Sequence, residues 1–210
     1  MPTLLHLDSS IAGERSRTRA LTRAVAESWR SRGDQFRVVH HDLHEEPPQH
    51  IGEVAQHWPE RLRDGAELSE QAAAAQRRAV DELLAADVLL VGAPTYNFGL
   101  PSTLKAWIDL VHVPGLTVPF DEPVQPLRGR SAIVVTAQGG APDETEDGPA
   151  ESPAAHSLRL VLEGSFGMEV QVVGTSRTLA DLLPDLDPAR AAEEFARALD
   201  RARALGAGVR

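Results

Sequence analysis

The 210-residue chain has no cysteine. That absence excludes disulfides, thiolate catalysis and cysteine-ligated metals together, and it suits a reducing, cytoplasmic setting. Any redox chemistry must then rest on a borrowed cofactor. Long apolar runs are missing too, since none approaches the roughly 20 residues that a membrane span needs. The opening Met1-Pro2-Thr3-Leu4-Leu5 lacks the charged start and long apolar core of a signal peptide. Positive charge is in short supply. With 21 Lys and Arg against 31 Asp and Glu the formal net charge is −10, so neither nucleic acid nor an anionic membrane has electrostatic support as a partner. No Walker loop, Gly-x-Gly-x-x-Gly fingerprint or Gly-x-Ser-x-Gly elbow occurs, which leaves an NTPase, a Rossmann dinucleotide site and a serine hydrolase without motif support. The remaining composition, 42% hydrophobic and 25% charged, is that of an ordinary globular protein, and the length suits one domain over residues 1–210.

Short apolar runs recur at 4–7, 36–40, 88–91, 132–136 and 170–173. They are too short for helices and right for buried strands. Amphipathic segments fall between and after them. The first, 16–32, carries Leu21, Ala24, Val25 and Trp29, with Gly33 to end it. Others span 68–86, run from 102 with Ser102 as N-cap, and cover 153–166. The last, 188–205, carries Ala192, Phe195, Leu199 and Ala202. Between 42 and 65 the prolines and polar residues predict an irregular connection. Five alternations of strand and helix predict an α/β fold: a flavodoxin-like three-layer sandwich whose five-stranded parallel sheet, in order 2-1-3-4-5, has helices on both faces. In that order the ligand crevice lies at the carboxyl ends of strands 1 and 3, beside strand 4.

Three loops converge there. The first carries Ser9, Ser10, Ser16, Arg17 and Thr18 ahead of a helix. Unpaired N–H groups and partial positive charge at a helix start bind phosphate. Arg15, Arg17 and Arg19 oppose the dipole unless an anion sits among them. The same residues also suit a plain Ser16 cap with solvated arginines. The second loop follows a strand that breaks at Gly92-Ala93-Pro94 and holds Thr95, Tyr96, Asn97 and Phe98. Two rings flanking an amide suit a flat, polar-edged ligand, or both rings turn into the core. The third, Gln138-Gly139-Gly140, allows close backbone approach, or is simply a turn. The histidines at 40, 41 and 44 suggest no metal, because adjacent strand residues point to opposite faces.

The run Pro94-Thr95-Tyr96-Asn97-Phe98-Gly99-Leu100-Pro101-Ser102-Thr103-Leu104-Lys105, continuing to Asp109, resembles the signature of FMN-dependent NADH-azoreductases, also described as NADH:quinone oxidoreductases. The Ser-Ser after strand 1, its later Ser-x-Thr and the Gly-Gly after strand 4 match in order and spacing. The resemblance implies non-covalent FMN, with its phosphate on Ser10, Ser16, Arg17 and Thr18. It places the ring system against Thr95, Tyr96, Asn97 and Phe98, with Gln138, Gly139 and Gly140 on the other edge. NADH and a flat acceptor, a quinone or an azo compound, would take turns at the exposed ring face in a ping-pong cycle. The resemblance also implies a homodimer, and Phe120 in a Pro-rich loop is the candidate lid over the acceptor. This chain departs from the pattern at Thr95, where the family usually has Met, and at Gln138, where Arg is common. Asp143, Glu144, Glu146 and Asp147 replace a His-bearing loop and disfavour NADPH. Two other readings remain: a flavodoxin-type electron carrier docking to proteins, and a biosynthetic relative acting on one aromatic metabolite.

Overall fold

Val88 to Val91 offers no polar face, and only a strand covered on both sides can bury such a run. The computed structural model describes residues 1–123, 125–142, 144–145 and 148–210. Its five parallel strands are β1 (Thr3–Asp8), β2 (Arg37–Asp42), β3 (Val88–Pro94), β4 (Ser131–Ala137) and β5 (Glu169–Thr175). They lie in the order β2-β1-β3-β4-β5, the expected flavodoxin-like arrangement. The helices are α1 (Arg17–Arg30), α2 (Glu70–Ala85), α3 (Ser102–Val111), α4 (Pro153–Arg159) and α5 (Pro188–Gly208).

Strand alternation divides the buried side chains between two cores. Leu5, Leu7, Leu89 and Val91 pack beneath α2, α3 and α4 with Leu83, Trp107 and Leu158. Leu4, Val88, Leu90 and Ile133 pack beneath α1 and α5 with Leu21, Val25 and Ala202. The four residues expected to form the stripe of α1 are all buried.

Several boundaries differ from expectation, each for a physical reason. β3 does not break at Gly92 but continues through Pro94, which pairs with Ala137. Gly92 is needed there because a Cβ would stand 2.8 Å from Asp8 Oδ1. Pro94 disturbs nothing, since the next N–H, that of Thr95, reaches the Ala137 carbonyl at 2.8 Å. Ser102 is the first residue of α3 rather than its cap, and Pro101 at the N-cap offers no side-chain hydrogen bond. The fourth helix relaxes into a π-helical turn over Leu160–Ser165. In α5 the buried residues are Ala191, Ala198, Ala202 and Gly206, so Ala192 points to solvent. Small residues are required on that face because α1 lies against it; a Cβ on Gly206 would approach the Val25 carbonyl oxygen to 2.2 Å. The 42–65 connection contains two 3-10 turns, Val54–His57 and Glu60–Leu62.

Candidate flavin site

The carboxyl ends of β1, β3, β4 and β5 enclose a cleft of about 560 Å³. Loop 1 leaves β1 through Ser9, whose hydroxyl donates to the Gly92 carbonyl at 2.6 Å. It passes a 3-10 turn at Gly13–Arg15 and reaches Ser16, the N-cap of α1. The Ser16 hydroxyl accepts from the Arg19 N–H at 3.2 Å and lies 2.8 Å from the Thr18 hydroxyl. Ser10, Ser16 and Thr18 are all buried. The first turn of α1 contains no acidic residue, so no carboxylate of that turn answers the free N–H groups at its start.

The three arginines part company. Arg15 and Arg17 line the cleft. The Arg17 guanidinium also donates to the Ala191 carbonyl at 3.1 Å and stacks 5.1 Å from the Phe195 ring centre, which fastens it to α5. Arg19 turns away and is spent on the Asp42 carboxylate and the Ser10 carbonyl. An internal carboxylate therefore answers Arg19, and only the other two cations bear on an external anion.

Loop 3, after β3, is a tight turn. Tyr96 and Gly99 exchange backbone hydrogen bonds of 3.0 Å in both directions. Asn97 and Phe98 between them have φ of 47° and 65°, the left-handed pair that a type I′ turn demands. The Phe98 side chain does not fold inward; the residue is 91% exposed. Tyr96 bends the other way, its hydroxyl 3.2 Å from Ser10 Oγ and accepting from the Ile11 N–H at 3.1 Å. One phenol thus joins the loops after β1 and β3. Thr95 Oγ1 is buried in the cleft wall without a hydrogen-bond partner among the described residues. An orphaned hydroxyl of this kind calls for a polar ligand edge.

Loop 4, after β4, contributes Gly139, where a Cβ would stand 2.8 Å from the Leu179 side chain. Gln138 instead faces a neighbouring groove beside Thr136 and Glu194. Gly140 is exposed and accepts from the Arg177 N–H at 2.9 Å. Phe120 does not line the cleft: its ring packs edge-on to Trp58 at 5.1 Å, with the Arg61–Asp121 ion pair alongside. The structure therefore gathers Ser10, Ser16, Arg17, Thr95, Tyr96 and Gly139, with Thr18 adjoining through Ser16. Asn97, Phe98, Gln138, Gly140 and Phe120 stand outside the cleft wall. Of the acidic segment, Asp143, Glu146 and Asp147 lie outside the described residues; Glu144–Thr145 pairs antiparallel with Gly148–Pro149.

One wall was missed from the sequence. The loop after β5 supplies Thr178, Leu179, Asp181 and Leu182. The sequence signal is three leucines grouped in one connection, Leu179, Leu182 and Leu183, which the structure leaves exposed at 43%, 77% and 51%. Glu194 on α5 holds this loop through Ser176 and Arg177. Burial works against the Glu194 charge, but those hydrogen bonds and the Arg177 and Arg190 guanidiniums hold its carboxyl below the ordinary glutamate range.

The donor set fits FMN: hydroxyls and helix N–H groups of loop 1, and a Thr95 hydroxyl with no partner among the described residues. A family profile described as "Flavodoxin-like fold" matches residues 2–205. An FMN-dependent NADH:quinone oxidoreductase of Kineococcus radiotolerans is 46% identical over 98% of both chains. Another of that name, from Polaromonas naphthalenivorans, is 37% identical over 80% of this chain and 79% of its own. Among solved structures, an azoreductase from Bacillus anthracis superposes with a TM-score of 0.78 at 22% identity, covering 99% of each chain. An FMN-dependent NADH-azoreductase of that species in complex with FMN gives 0.76 at 18% identity, covering 98% of this chain and 100% of its own. This chain therefore belongs to the flavodoxin-like fold family and, within it, to the group whose curated members are named FMN-dependent NADH:quinone oxidoreductase.

Proposed function

We propose that the protein binds FMN without covalent attachment and passes two electrons from NADH to a flat acceptor, a quinone or an aromatic azo compound. The observation that carries this reading is the meeting of the β1, β3 and β4 loops on one cleft, with a buried hydroxyl pair at a helix start and, on the cleft wall, the Thr95 hydroxyl, which has no partner among the described residues. Near full-length identity of 46% to a protein of that name supports it.

Ser16, Thr18 and the first N–H groups of α1 would hold the phosphate, with Ser10, Arg15 and Arg17 beside them. Thr95, Tyr96 and Gly139 would meet the ring system. Asn97 and Phe98 would act from the turn, and Gln138 and Gly140 from the loop beside it. When bound, FMN supplies the two-electron relay between donor and acceptor. The chain's own work is anchoring and shielding. Hydroxyl and N–H donors fix the anionic end, Tyr96 keeps two loops in register, and the leucines after β5 exclude water from one wall. Phe120 would reach the acceptor only if its loop leaves Trp58.

Residues 1–210 act as one domain in this reading, since the sheet and both cores draw on segments from β1 to Val209. A cytoplasmic homodimer fits the absence of cysteine and the exposed apolar side chains of Phe98, Leu182 and Leu183. Among the described residues no helix is long and apolar enough to cross a membrane. Mixing purified protein with FMN, NADH and menadione tests the function: rapid NADH oxidation that needs both FMN and quinone is expected. Flavin binding with negligible NADH consumption would instead mark an electron carrier, and failure to bind FMN at micromolar levels would end the proposal.

A further inference from the structure

On the far side of Arg19 from the flavin cleft, β1 and β2 bring together three side chains that the proposed reaction does not use. In a parallel pair whose register sets His6 opposite His40, His6 and Asp8 fall two residues apart on one face of β1. Asp8 Oδ2 stands 3.2 Å from His6 Nε2 and 3.1 Å from His40 Nε2. All three atoms lie within 4.8 Å of one another. An ion roughly 2.0–2.1 Å from each ligand sets neighbouring ligand atoms about 3.0–3.4 Å apart. We propose that His6, Asp8 and His40 form a binding site for a divalent first-row transition-metal ion of the zinc class.

His40 Nε2 bonds Asp8 Oδ2, and His6 Nε2, buried 3.2 Å from the same oxygen, lacks the geometry of a hydrogen bond to any of the described residues. One carboxylate oxygen with two ring nitrogens converging on it is also the arrangement of three ligand atoms around one ion. Asp8 is also held as a ligand carboxylate should be: its other oxygen accepts from the Thr22 hydroxyl at 2.8 Å, and Gly92 clears the space beside it.

The site opens onto a cavity of about 430 Å³ with room for water at the remaining positions. Arg30 faces the cluster and opposes a cation there. Arg23 is paired with Glu14, and Arg19 with Asp42, while Glu45 lines the same cavity. Two imidazoles and one carboxylate with open positions suit zinc, cobalt or nickel better than the oxygen-seeking magnesium or calcium. Strand alternation does separate His40 from His41, whose Nε2 lies 2.8 Å from Glu82; the partners of His40 come from the neighbouring strand β1.

The experiment uses full-length, tag-free protein stripped with chelator, dialysed, and titrated with cobalt(II) and then zinc(II). One equivalent of cobalt is expected to bind at micromolar concentration, with the visible absorption of a low-coordinate nitrogen–oxygen site that zinc abolishes. Zinc should also raise the melting temperature. His40 is partly exposed, at 42% for its side chain, so His40→Ala should keep its fold and FMN retention while losing metal affinity about tenfold or more. His41→Ala, facing away, should bind as the parent does. No cobalt spectrum at sub-millimolar concentration, or equal affinity in the parent and His40→Ala, overturns the site. So does a loss in His41→Ala that matches the one in His40→Ala. None of these outcomes depends on whether FMN is the cofactor.

Discussion

Phe98 holds its backbone at φ 65° with its ring almost wholly in solvent, a combination in which a bulky L-residue loses about 1–2 kcal/mol. With the residue 91% exposed among the described residues, packing recovers little of that cost, and in the proposed function the ring acts from the turn on an incoming ligand. Phe98→Gly should therefore raise stability by about 1 kcal/mol in urea unfolding and slow NADH-dependent quinone reduction. Unchanged turnover would make the ring's exposure incidental. Ser16 bears two duties, capping α1 and facing Thr18. Ser16→Ala should cost about 1 kcal/mol of stability and weaken FMN retention on dilution roughly tenfold, read from flavin fluorescence. Asn97→Ala should weaken retention without the capping loss. At this scale the sequence was informative where type dictates place, as for Ser16 before an amphipathic run. It was silent on Gln138 and Phe120, whose directions depend on which neighbour, Thr136 or Trp58, stands nearest.

Between elements, the close approach of α1 and α5 sets the position of the proposed phosphate grip. Gly206→Val would drive a side chain into the Val25 carbonyl, and overpacking of this kind costs about 1–3 kcal/mol. A lowered midpoint in denaturant with weakened FMN retention is expected, because the start of α1 shifts with its body. The loop after β5 has its own lock in Glu194. Its carboxyl is depressed in the folded chain, so its contribution is present above the ordinary glutamate range and is lost as pH falls through the folded value. Glu194→Gln should reduce stability by about 1–3 kcal/mol at neutral pH and flatten the acid limb of the melting-temperature profile. A parallel profile would show that the loop is held elsewhere. Strands and helices were legible because leucine and valine report burial plainly. The register of α5 was not, since alanine sits as readily on a wet face as on a dry one, and Ala191 and Ala192 differ only in which meets α1.

For the molecule as a whole, a net charge of −10 repels an anionic nicotinamide donor at long range, while Arg15 and Arg17 act only near the cleft and in the proposed function are answered by the FMN phosphate. Screening lengths shrink from about 30 Å at 0.01 M salt to about 8 Å at 0.15 M. The kcat/KM for NADH should accordingly rise with added salt over that range, and a fall would mean that the two arginines dominate approach. Topology was readable because the alternation of elements admits few right-handed solutions. The β5 wall and the His6–Asp8–His40 cluster were not, since both depend on which strands end up adjacent. The strut between the first and third loops has a practical consequence. Tyr96 is the one tyrosine in the chain, so fluorinated tyrosine supplied during expression labels that phenol and nothing else, giving a single resonance seated between the two halves of the rim and a direct optical-free gauge of whatever enters it.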